Sequence, residues 1–328
     1  MKALPDVPTL PSPSSPRPIC IVTGANTGIG YQTSKYLCKY GYKVILACRS
    51  REKGVKAAED INSENDLLGE AVFLQPLDLS CFDSVRKFVD AFEEAHSNQG
   101  LDVLVNNAGI NTSGVSADNL DLCFQTNFLG HFLLTRLLRA SLEKKSAFGG
   151  KPKIINLSSV MHHFATPRIK INEWDEVTKS NSNNSYADSK LAAILFTIEL
   201  NRRFKGISSI SVNPGAVDSE IWRNFPLLLR KYLLGPIFRL LYLSTEDGCH
   251  TTVAAILNEW QHNEVYLEPY HLPKIWRRIP PYPSFEMLGP FQGSRAVQPR
   301  LLKNDALRES CSNLWLVSEA KCGLTTPK

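Results

Sequence analysis

A glycine-rich turn between an apolar strand and a helix constrains the fold of this chain more than any other segment. Residues 19–22 form a short apolar run rich in β-branched residues, which is typical of a buried strand. Residues 23–30, Thr-Gly-Ala-Asn-Thr-Gly-Ile-Gly, follow at once and lead into an amphipathic segment. Glycines let a backbone approach a pyrophosphate closely, and a helix N-terminus offers free N–H groups. The G-x-x-x-G-x-G spacing differs from the G-x-G-x-x-G fingerprint, so an ordinary strand-to-helix turn stays open as an alternative.

The same alternation of strand and helix continues along most of the chain. Further strands are predicted at 42–48, 73–79, 101–105 and 153–157, with a sixth closing at 210–215, and helices at 51–62, 80–96, 117–143 and 184–204. This alternation predicts an α/β fold, a Rossmann-type doubly wound parallel sheet in a single domain. Ligands of such sheets bind at the carboxyl ends of the strands. The polar motifs fall at those ends or on the helices that follow, so we expect them to converge.

The residue after the second strand indicates which dinucleotide the chain would prefer. Arg49 stands at this position and is followed by Arg51 and Lys53. An acidic residue here would bind the ribose 2′-hydroxyl of NAD, whereas an Arg accommodates the 2′-phosphate of NADP. Arg49 therefore favours NADP, and the alternative is a solvated basic turn.

Tyr186 and Lys190 provide the strongest indication of chemistry. Their spacing of four residues places both side chains on one face of a helix, one turn apart. A nearby ammonium favours the phenolate and can lower the pKa of a tyrosine toward neutral pH. A tyrosine tuned in this way can exchange a proton with a carbonyl or alcohol oxygen. Such pairs are also common on helix surfaces, so the pair alone does not establish the chemistry.

Taken in order, these motifs resemble those of the short-chain dehydrogenase/reductase family. The resemblance covers about residues 18–258. Within that family, the chain is similar to the retinol-dehydrogenase branch in segments 47–49, 127–135, 158–163 and 189–196. Polyprenol dehydrogenases and WW-domain oxidoreductases share the pattern of that branch. The residues that carry the family resemblance are Thr23 to Gly30, Asn106 to Gly109, Asn127, Ser158 and Ser159, Tyr186 to Lys190, and Pro214 and Gly215.

The resemblance implies a role for each catalytic candidate. Tyr186 would act as the general acid in reduction and the base in oxidation, while Lys190 would lower its pKa and bind the nicotinamide ribose. Ser159 would polarise the substrate oxygen as a neutral donor. Ser158 lies earlier on its strand and is expected to point away. Asn127 would support a relay water near Lys190.

The resemblance also implies a cofactor site for NADP. The glycine turn would cradle the pyrophosphate, Asp78 and Asn106 would touch the adenine side, and Pro214 and Gly215 would lie against the nicotinamide. The complete set expected to bind the cofactor is Gly24, Asn26, Gly28, Ile29, Gly30, Arg49, Asp78, Asn106, Ala108, Tyr186, Lys190, Pro214 and Gly215.

Two functions are compatible with this pattern. The first is an NADP-dependent oxidoreductase that interconverts an alcohol and a carbonyl on an apolar substrate of the retinoid, prenol, steroid or fatty aldehyde class. The alternative is an NADP-binding regulatory or interaction scaffold without significant turnover. The intact set of Asn127, Ser159, Tyr186 and Lys190 favours the enzyme, because a scaffold has no chemical need for all four.

Other classes of partner receive little support from the sequence. His162 and His163 lack metal-ligand spacing with further His or Cys residues, so no metal is expected. The net charge of +5 is mild and no basic-aromatic array indicates nucleic acid. The eight cysteines are scattered without a C-x-x-C pair, which fits a reducing compartment. We therefore expect a cytoplasmic protein.

Two appendages flank the predicted catalytic domain at 19–265. Residues 1–18 contain six prolines and are expected to form a flexible arm rather than a signal peptide or anchor. Residues 266–328 are expected to form a Pro- and aromatic-rich extension with a closing helix at 301–317 anchored by Trp315. Within the domain, residues 225–243 are apolar with interspersed cations. They belong to an expected substrate lobe at about 218–243, for which a packed helix pair and peripheral contact with an intracellular membrane are alternatives.

Overall fold

Short strands with buried side chains form the centre of the molecule. The computed structural model describes residues 16–165, 174–179, 184–215, 217, 243–260, 265–269, 294–296 and 305–324 of the 328-residue chain. The strands are β1 (Ile19–Thr23), β2 (Lys43–Ala47), β3 (Glu70–Val72), β4 (Val103–Asn106), β5 (Lys153–Leu157), β6 (Ser208–Val212), β7 (Tyr266–Pro269) and β8 (Ser294–Ala296).

These strands build one sheet in the order β3-β2-β1-β4-β5-β6-β7-β8. All neighbours pair in parallel except β7 and β8, which are antiparallel. After β1, the chain adds β2 and β3 on one side of the sheet. It then returns to the centre and adds β4 and the later strands on the other side of β1. The predicted doubly wound, Rossmann-type sheet is therefore confirmed, and its strand order reverses between β1 and β4.

Helices cover both faces of the sheet. They are α1 (Gly28–Lys39), α2 (Arg51–Asn62), α3 (Phe82–His96), α4 (Leu122–Phe124), α5 (Gly130–Leu137), α6 (Arg139–Ala147), α7 (Trp174–Val177), α8 (Ser185–Arg203), α9 (Thr245–Leu257) and α10 (Asp305–Lys321). A π-helical turn (Gln125–Leu129) joins α4 to α5, and a 3₁₀ turn (Val160–Phe164) follows β5. None of the described helices is both long and apolar enough to cross a membrane.

The two faces of the sheet bury different side chains of the same strands. In β1, Ile19 and Ile21 join one apolar cluster while Cys20 and Val22 join the other. The period of two in a strand places alternate residues on opposite faces. Both faces of β1 are therefore covered, which explains why its sequence is a continuous apolar run.

Two of the predicted elements differ from the structure. The strand predicted at 73–79 forms earlier, at Glu70–Val72, because the ladder with β2 runs only from Lys43↔Glu70 to Ile45↔Val72. The helix predicted at 117–143 is broken into α4, the π turn, α5 and α6. The buried Asp121 carboxylate accepts the N–H of Phe124 at 2.7 Å and so starts α4 later than predicted.

Near the predicted closing helix at 301–317 the structure has α10, four residues later at each end, and Trp315 packs it against the sheet domain. The indole is buried between the guanidinium groups of Arg136 and Arg203, which lie 4.9 and 4.5 Å from its ring centre. Phe132 and Phe196 contact the same ring at 5.1 and 5.9 Å between centroids. These contacts pack α10 against α8 and α5.

Several expectations from the sequence lie outside the described residues. They are the Pro-rich arm except residues 16–18, the substrate lobe except Leu243, and the extension at 270–293 and 297–304. The sequence analysis assigned no strand after residue 215. The structure adds β7 beside β6, with Val212 opposite Leu267, and β8 beyond it. All eight cysteines are free.

Candidate active site

The carboxyl ends of β1 and β4 are joined through the hydroxyl of Thr23. Its Oγ1 accepts the N–H groups of Asn107 and Ala108, both at 2.9 Å. The Asn107 side chain donates to the Thr23 carbonyl at 2.7 Å. Because these strands flank the point where the strand order reverses, the crevice of the fold lies here. The glycine turn is thus held against the segment that follows β4.

The three glycines of the turn meet different surroundings. Gly24 and Gly28 have φ angles of +65° and +59°, which side chains rarely adopt. A Cβ on Gly30 would lie 2.4 Å from Nδ2 of Asn107 and 2.5 Å from the Gly24 carbonyl oxygen. A Cβ on Gly28 would meet nothing within 4 Å. Gly30 therefore allows close packing of the helix on the strand ends, while Gly28 borders open space.

The N-terminus of α1 is suited to an anion. The side chain of Thr27, at the N-cap position, makes no capping hydrogen bond, and the first turn contains no acidic residue. The partial positive charge of this 12-residue helix is therefore not offset locally. Asn26 and Ile29 are half-buried beside the turn, and Ile29 packs on the apolar cluster below. This cradle fits the pyrophosphate of a dinucleotide.

The other predicted cofactor residues divide into exposed and buried positions. Arg49 is exposed directly after β2. Asp78 is half-buried and its Oδ1 accepts from the N–H and hydroxyl of Ser80 at 2.9 and 2.6 Å. Asn106 differs from the expectation, because its side chain is buried and donates to Thr135 and Asn156 at 3.0 and 2.8 Å. Its amide donors thus serve the interior rather than an adenine.

Two short segments complete this edge of the sheet. Ala108 is half-buried where its N–H reaches Thr23. Pro214 and Gly215 follow β6, with Pro214 buried and Gly215 at a φ of +87°. The Gly215 N–H donates to Oδ1 of Asn213 at 3.1 Å. These segments lie after the ends of β4 and β6, on either side of β5.

Tyr186 and Lys190 lie in the first turns of α8, as the spacing predicts. The ammonium of Lys190 is 5.4 Å from the centre of the Tyr186 ring and donates to the Leu157 carbonyl at 3.1 Å. The side chain of Ser159, which follows β5, lies close enough to the half-buried Tyr186 phenol to influence its pKa. The structure thus brings together the three groups that the sequence predicts as a proton-transfer set.

The two serines after β5 have different surroundings. Ser158 is buried and its hydroxyl donates to the Lys190 carbonyl at 2.8 Å. Ser159 begins the 3₁₀ turn, and its oxygen accepts the N–H of Met161 at 3.3 Å. Of the pair, Ser159 reaches the phenol of Tyr186, while Ser158 supports the backbone of α8.

The electrostatics of Tyr186 and Lys190 differ from the expectation. Burial raises the pKa of Tyr186 to about 12, although the neighbouring Ser159 side chain acts to lower it. Burial lowers the pKa of Lys190 to about 8. The expected lowering of the Tyr186 pKa by Lys190 is therefore not found, because loss of hydration raises the pKa and only Ser159 opposes this effect.

Asn127 lies in the π-helical turn and approaches Lys190 across Gly109. Its Oδ1 accepts the Ile110 N–H at 2.8 Å, and its Nδ2 donates to the Ile110 carbonyl at 2.9 Å. A Cβ built on Gly109 would lie 3.4 Å from Nζ of Lys190 and 3.5 Å from Oδ1 of Asn127. Short π-helical insertions are frequent at functional sites. The fourth catalytic candidate thus lies next to Lys190.

The sequence analysis did not identify two groups that border this site. His131 is buried, and its ring nitrogens lie within hydrogen-bond distance of Thr23 and Asn127. The only local indication in the sequence that His131 borders the site is its position one helical turn after Asn127. Cys123 contacts Asn127, with 3.4 Å between Sγ and Nδ2. Burial raises the pKa of the Cys123 thiol to about 12, so it is not an activated nucleophile.

His162 lies on the other side of Ser159. Its Nδ1 is 2.6 Å from the Ser159 carbonyl oxygen, and its ring centre is 3.9 Å from that of His163. Tyr266, at the start of β7, contacts the His162 ring edge-on at 5.3 Å. Burial lowers the pKa of His162 to about 4. His162 therefore packs as a neutral ring beneath the Ser159 turn.

Known proteins share both the sequence pattern and the fold. A family model described as short chain dehydrogenase matches residues 18–227. Retinol dehydrogenase 11 of Homo sapiens is 38% identical over 250 residues, which cover 74% of this chain and 74% of that protein. Retinol dehydrogenase 13 of Homo sapiens is 40% identical over 248 residues, which cover 73% and 72%. Salutaridine reductase from Papaver somniferum has the same fold, with a TM-score of 0.57 and 23% identity over 74% of this chain and 96% of that structure.

Proposed function

The chain belongs to the short-chain dehydrogenase/reductase family of oxidoreductases, and we propose that it uses NADP to interconvert an alcohol and a carbonyl on an apolar substrate. The observation that carries this proposal is the buried Lys190 ammonium, 5.4 Å from the centre of the Tyr186 ring, with the side chain of Ser159 close enough to act on the same phenol. A hydroxyl donor, a phenol and a buried cation form the set that a proton transfer to a carbonyl oxygen requires.

In the reductive direction, Tyr186 donates its proton to the oxygen of the substrate. A pKa of about 12 keeps the phenol protonated at neutral pH, so the acid form is ready. Ser159 polarises the same oxygen through its hydroxyl. The glycine turn and Arg49 would hold NADPH, which would supply the hydride for the carbonyl carbon. In the oxidative direction, the proton of the alcohol returns to the phenolate of Tyr186.

Lys190 stabilises the phenolate that forms when Tyr186 gives up its proton. The ammonium is buried and therefore poorly screened by water, which strengthens its attraction for a charge on the ring oxygen. The Leu157 carbonyl holds Nζ in place at 3.1 Å. We assign the contact with the nicotinamide ribose to the same ammonium, and the contact with a relay water to Asn127.

The choice of NADP over NAD rests on Arg49. Its guanidinium is exposed at the carboxyl end of β2 and makes no ion pair with any residue that the structure describes. The open space beside Gly28 and the uncapped N-terminus of α1 support a pyrophosphate next to it. A 2′-phosphate on the adenosine ribose would then meet Arg49.

The relatives support the proposed substrate class. Proteins named retinol dehydrogenase are 35–40% identical to this chain over about three quarters of its length. We therefore place its substrate among retinoids, prenols, steroids and fatty aldehydes, which are small and apolar.

The test is NADPH consumption by the full chain with retinal, a steroid ketone, a polyprenal and a fatty aldehyde. We expect turnover with at least one of them. We expect Tyr186→Phe to abolish it while the Kd for NADPH stays nearly unchanged, and Tyr42→Phe, on the opposite edge of the sheet, to behave as wild type. Equal activity of wild type and Tyr186→Phe would contradict the catalytic assignment. NADPH binding without turnover on any substrate would favour the scaffold function instead.

A further inference from the structure

A buried imidazole joins the glycine turn to the π-helical turn. His131 lies in the first turn of α5 and exposes only 3% of its surface. Its Nδ1 is 3.0 Å from the carbonyl oxygen of Asn127, and its Nε2 is 2.8 Å from Oγ1 of Thr23. Since 108 positions separate Thr23 from His131, this contact is a tertiary one.

The partners of His131 determine which ring nitrogen carries the proton. The Asn127 carbonyl can only accept, so Nδ1 must donate to it. In a neutral ring Nε2 is then the acceptor, and the Thr23 hydroxyl donates to it at 2.8 Å rather than to the Val105 carbonyl, which lies farther away at 3.3 Å. The oxygen of that hydroxyl accepts from Asn107 and Ala108 in turn. Burial lowers the pKa of His131 to about 4, which agrees with a neutral ring.

Asn127 is held from two sides. Its side chain contacts the Ile110 backbone through both Oδ1 and Nδ2, at 2.8 and 2.9 Å. Its backbone carbonyl is held by His131. The helix is irregular here, since the Gly130 N–H donates to the carbonyl of Gln125, five residues back. The hydrogen bond that His131 donates to the Asn127 carbonyl therefore stabilises the backbone where the regular helical hydrogen-bond pattern is interrupted.

We propose that His131 is a positioning residue that couples the dinucleotide-binding turn, through Thr23, to the relay position of Asn127. The proposal rests on the proposed function, which assigns roles to the turn and to Asn127. His131 touches neither substrate nor cofactor. Its Nε2 side holds the turn that binds NADP, and its Nδ1 side holds the backbone of Asn127 beside Lys190.

Two amide variants separate the two sides of the ring. In His131→Asn, the short side-chain amide occupies the position of Nδ1. It keeps the hydrogen bond to the Asn127 carbonyl and loses the hydrogen bond to the Thr23 hydroxyl. In His131→Gln, the longer amide occupies the position of Nε2, so it keeps the hydrogen bond to Thr23 and loses the one to the Asn127 carbonyl. A buried hydrogen bond contributes about tenfold in an equilibrium or rate. We therefore expect His131→Asn to raise the Kd for NADPH about tenfold with kcat nearly unchanged, and His131→Gln to lower kcat about tenfold with the Kd nearly unchanged.

Ser318→Ala serves as the matched control for a lost buried hydrogen bond. Ser318 is buried in α10, a helix that carries no residue of the candidate site, and its hydroxyl donates to the Leu314 carbonyl at 2.7 Å. We expect it to lower the stability without changing kcat or the Kd for NADPH. If both His131 variants lose stability but leave kcat and the Kd unchanged, as in the control, or if both variants change kcat and the Kd together, His131 is only a structural residue and the proposal is wrong.

A spectroscopic readout does not depend on activity. The ¹⁵N resonances of the imidazole, measured on the full chain, should show a neutral ring protonated at Nδ1 that does not titrate between pH 5 and pH 8. A ring protonated at Nε2, or one that titrates in this range, would overturn the proposal. If no substrate is turned over, the proposed function fails, whereas the NMR signals and the NADPH affinities of the two amide variants still decide the role of His131.

Discussion

The Lys190 ammonium lies 5.4 Å from the centre of the Tyr186 ring, one turn away on α8, and burial drives both groups toward their neutral forms. The pKa of Tyr186 is raised to about 12 and that of Lys190 is lowered to about 8. At neutral pH the phenol therefore keeps its proton and the ammonium keeps its charge. The charge has a cost in stability, because the folded chain holds the cation less favourably than the unfolded chain does.

Replacing Lys190 should stabilise the fold at neutral pH while abolishing activity. Its pKa falls from an unfolded value of 10.5 to about 8, so the unfolded chain binds the proton more tightly. Lys190→Met should raise the free energy of unfolding by up to about 3 kcal/mol at pH 7. The gain should shrink as the pH rises above 8 and vanish near 10.5, where both states are neutral.

Urea denaturation at pH 7 and pH 10 measures this effect. Lys56→Met is the control, since 76% of that side chain is exposed and the loss of its surface ion pair with Asp60 should change stability by less than about 0.5 kcal/mol. A Lys190→Met protein no more stable than wild type at pH 7 would show that the buried charge is fully compensated by its surroundings.

The two serines after β5 should separate chemistry from stability. Ser159→Ala removes the hydroxyl that reaches Tyr186 and should lower kcat by about 100-fold or more, with NADPH binding retained. Ser158→Ala removes a buried donor to the Lys190 carbonyl and should cost about 1 kcal/mol of stability, with kcat within a few-fold of wild type. Steady-state kinetics and denaturation of both variants provide the measurement, and the reverse pattern would assign catalysis to Ser158.

Arg49→Asp should shift the preference from NADPH toward NADH. The change removes a cation from the expected position of the 2′-phosphate and introduces an acceptor for a 2′-hydroxyl. The ratio of kcat/KM for the two cofactors should move by about tenfold or more. Lys205→Asp makes the same charge change at an exposed residue just before β6, at the opposite edge of the sheet, and should leave the ratio unchanged. If Arg49→Asp leaves the ratio of kcat/KM for the two cofactors unaltered, residues other than Arg49 determine the preference for the 2′-phosphate.

Two glycines of the turn should respond differently to alanine. Gly28→Ala places a methyl group in open space at a φ of +59° and should cost only about 1 kcal/mol of stability. Because that space is the expected place of the pyrophosphate, the Kd for NADPH should still rise by tenfold or more. Gly30→Ala forces a Cβ to 2.4 Å from Asn107 and should cost about 3 kcal/mol. Thermal denaturation and NADPH titration distinguish the two variants. If Gly28→Ala and wild type bind NADPH with equal affinity, the pyrophosphate does not bind beside Gly28.

Helices and strands are predicted best from the sequence where the burial of their own side chains determines them. The strand at Lys153–Leu157 and the helix at Arg51–Asn62 have the predicted bounds, because apolar periodicity reports burial directly. The run at 73–79 is apolar enough for a strand, but β2 pairs only with Glu70–Val72. The strand β7 was missed because its four residues are recognisable only from their pairing with β6.

The sequence by itself determined the family, the parallel sheet and the edge at which the polar motifs meet, because these follow from short-range patterns of apolar, glycine and polar residues. Only the tertiary structure decided which serine reaches Tyr186, that burial raises the pKa of that tyrosine, and that His131 links Thr23 to Asn127. Each of these depends on distances and hydration around residues far apart in the chain. Such quantities exist only after the chain has packed.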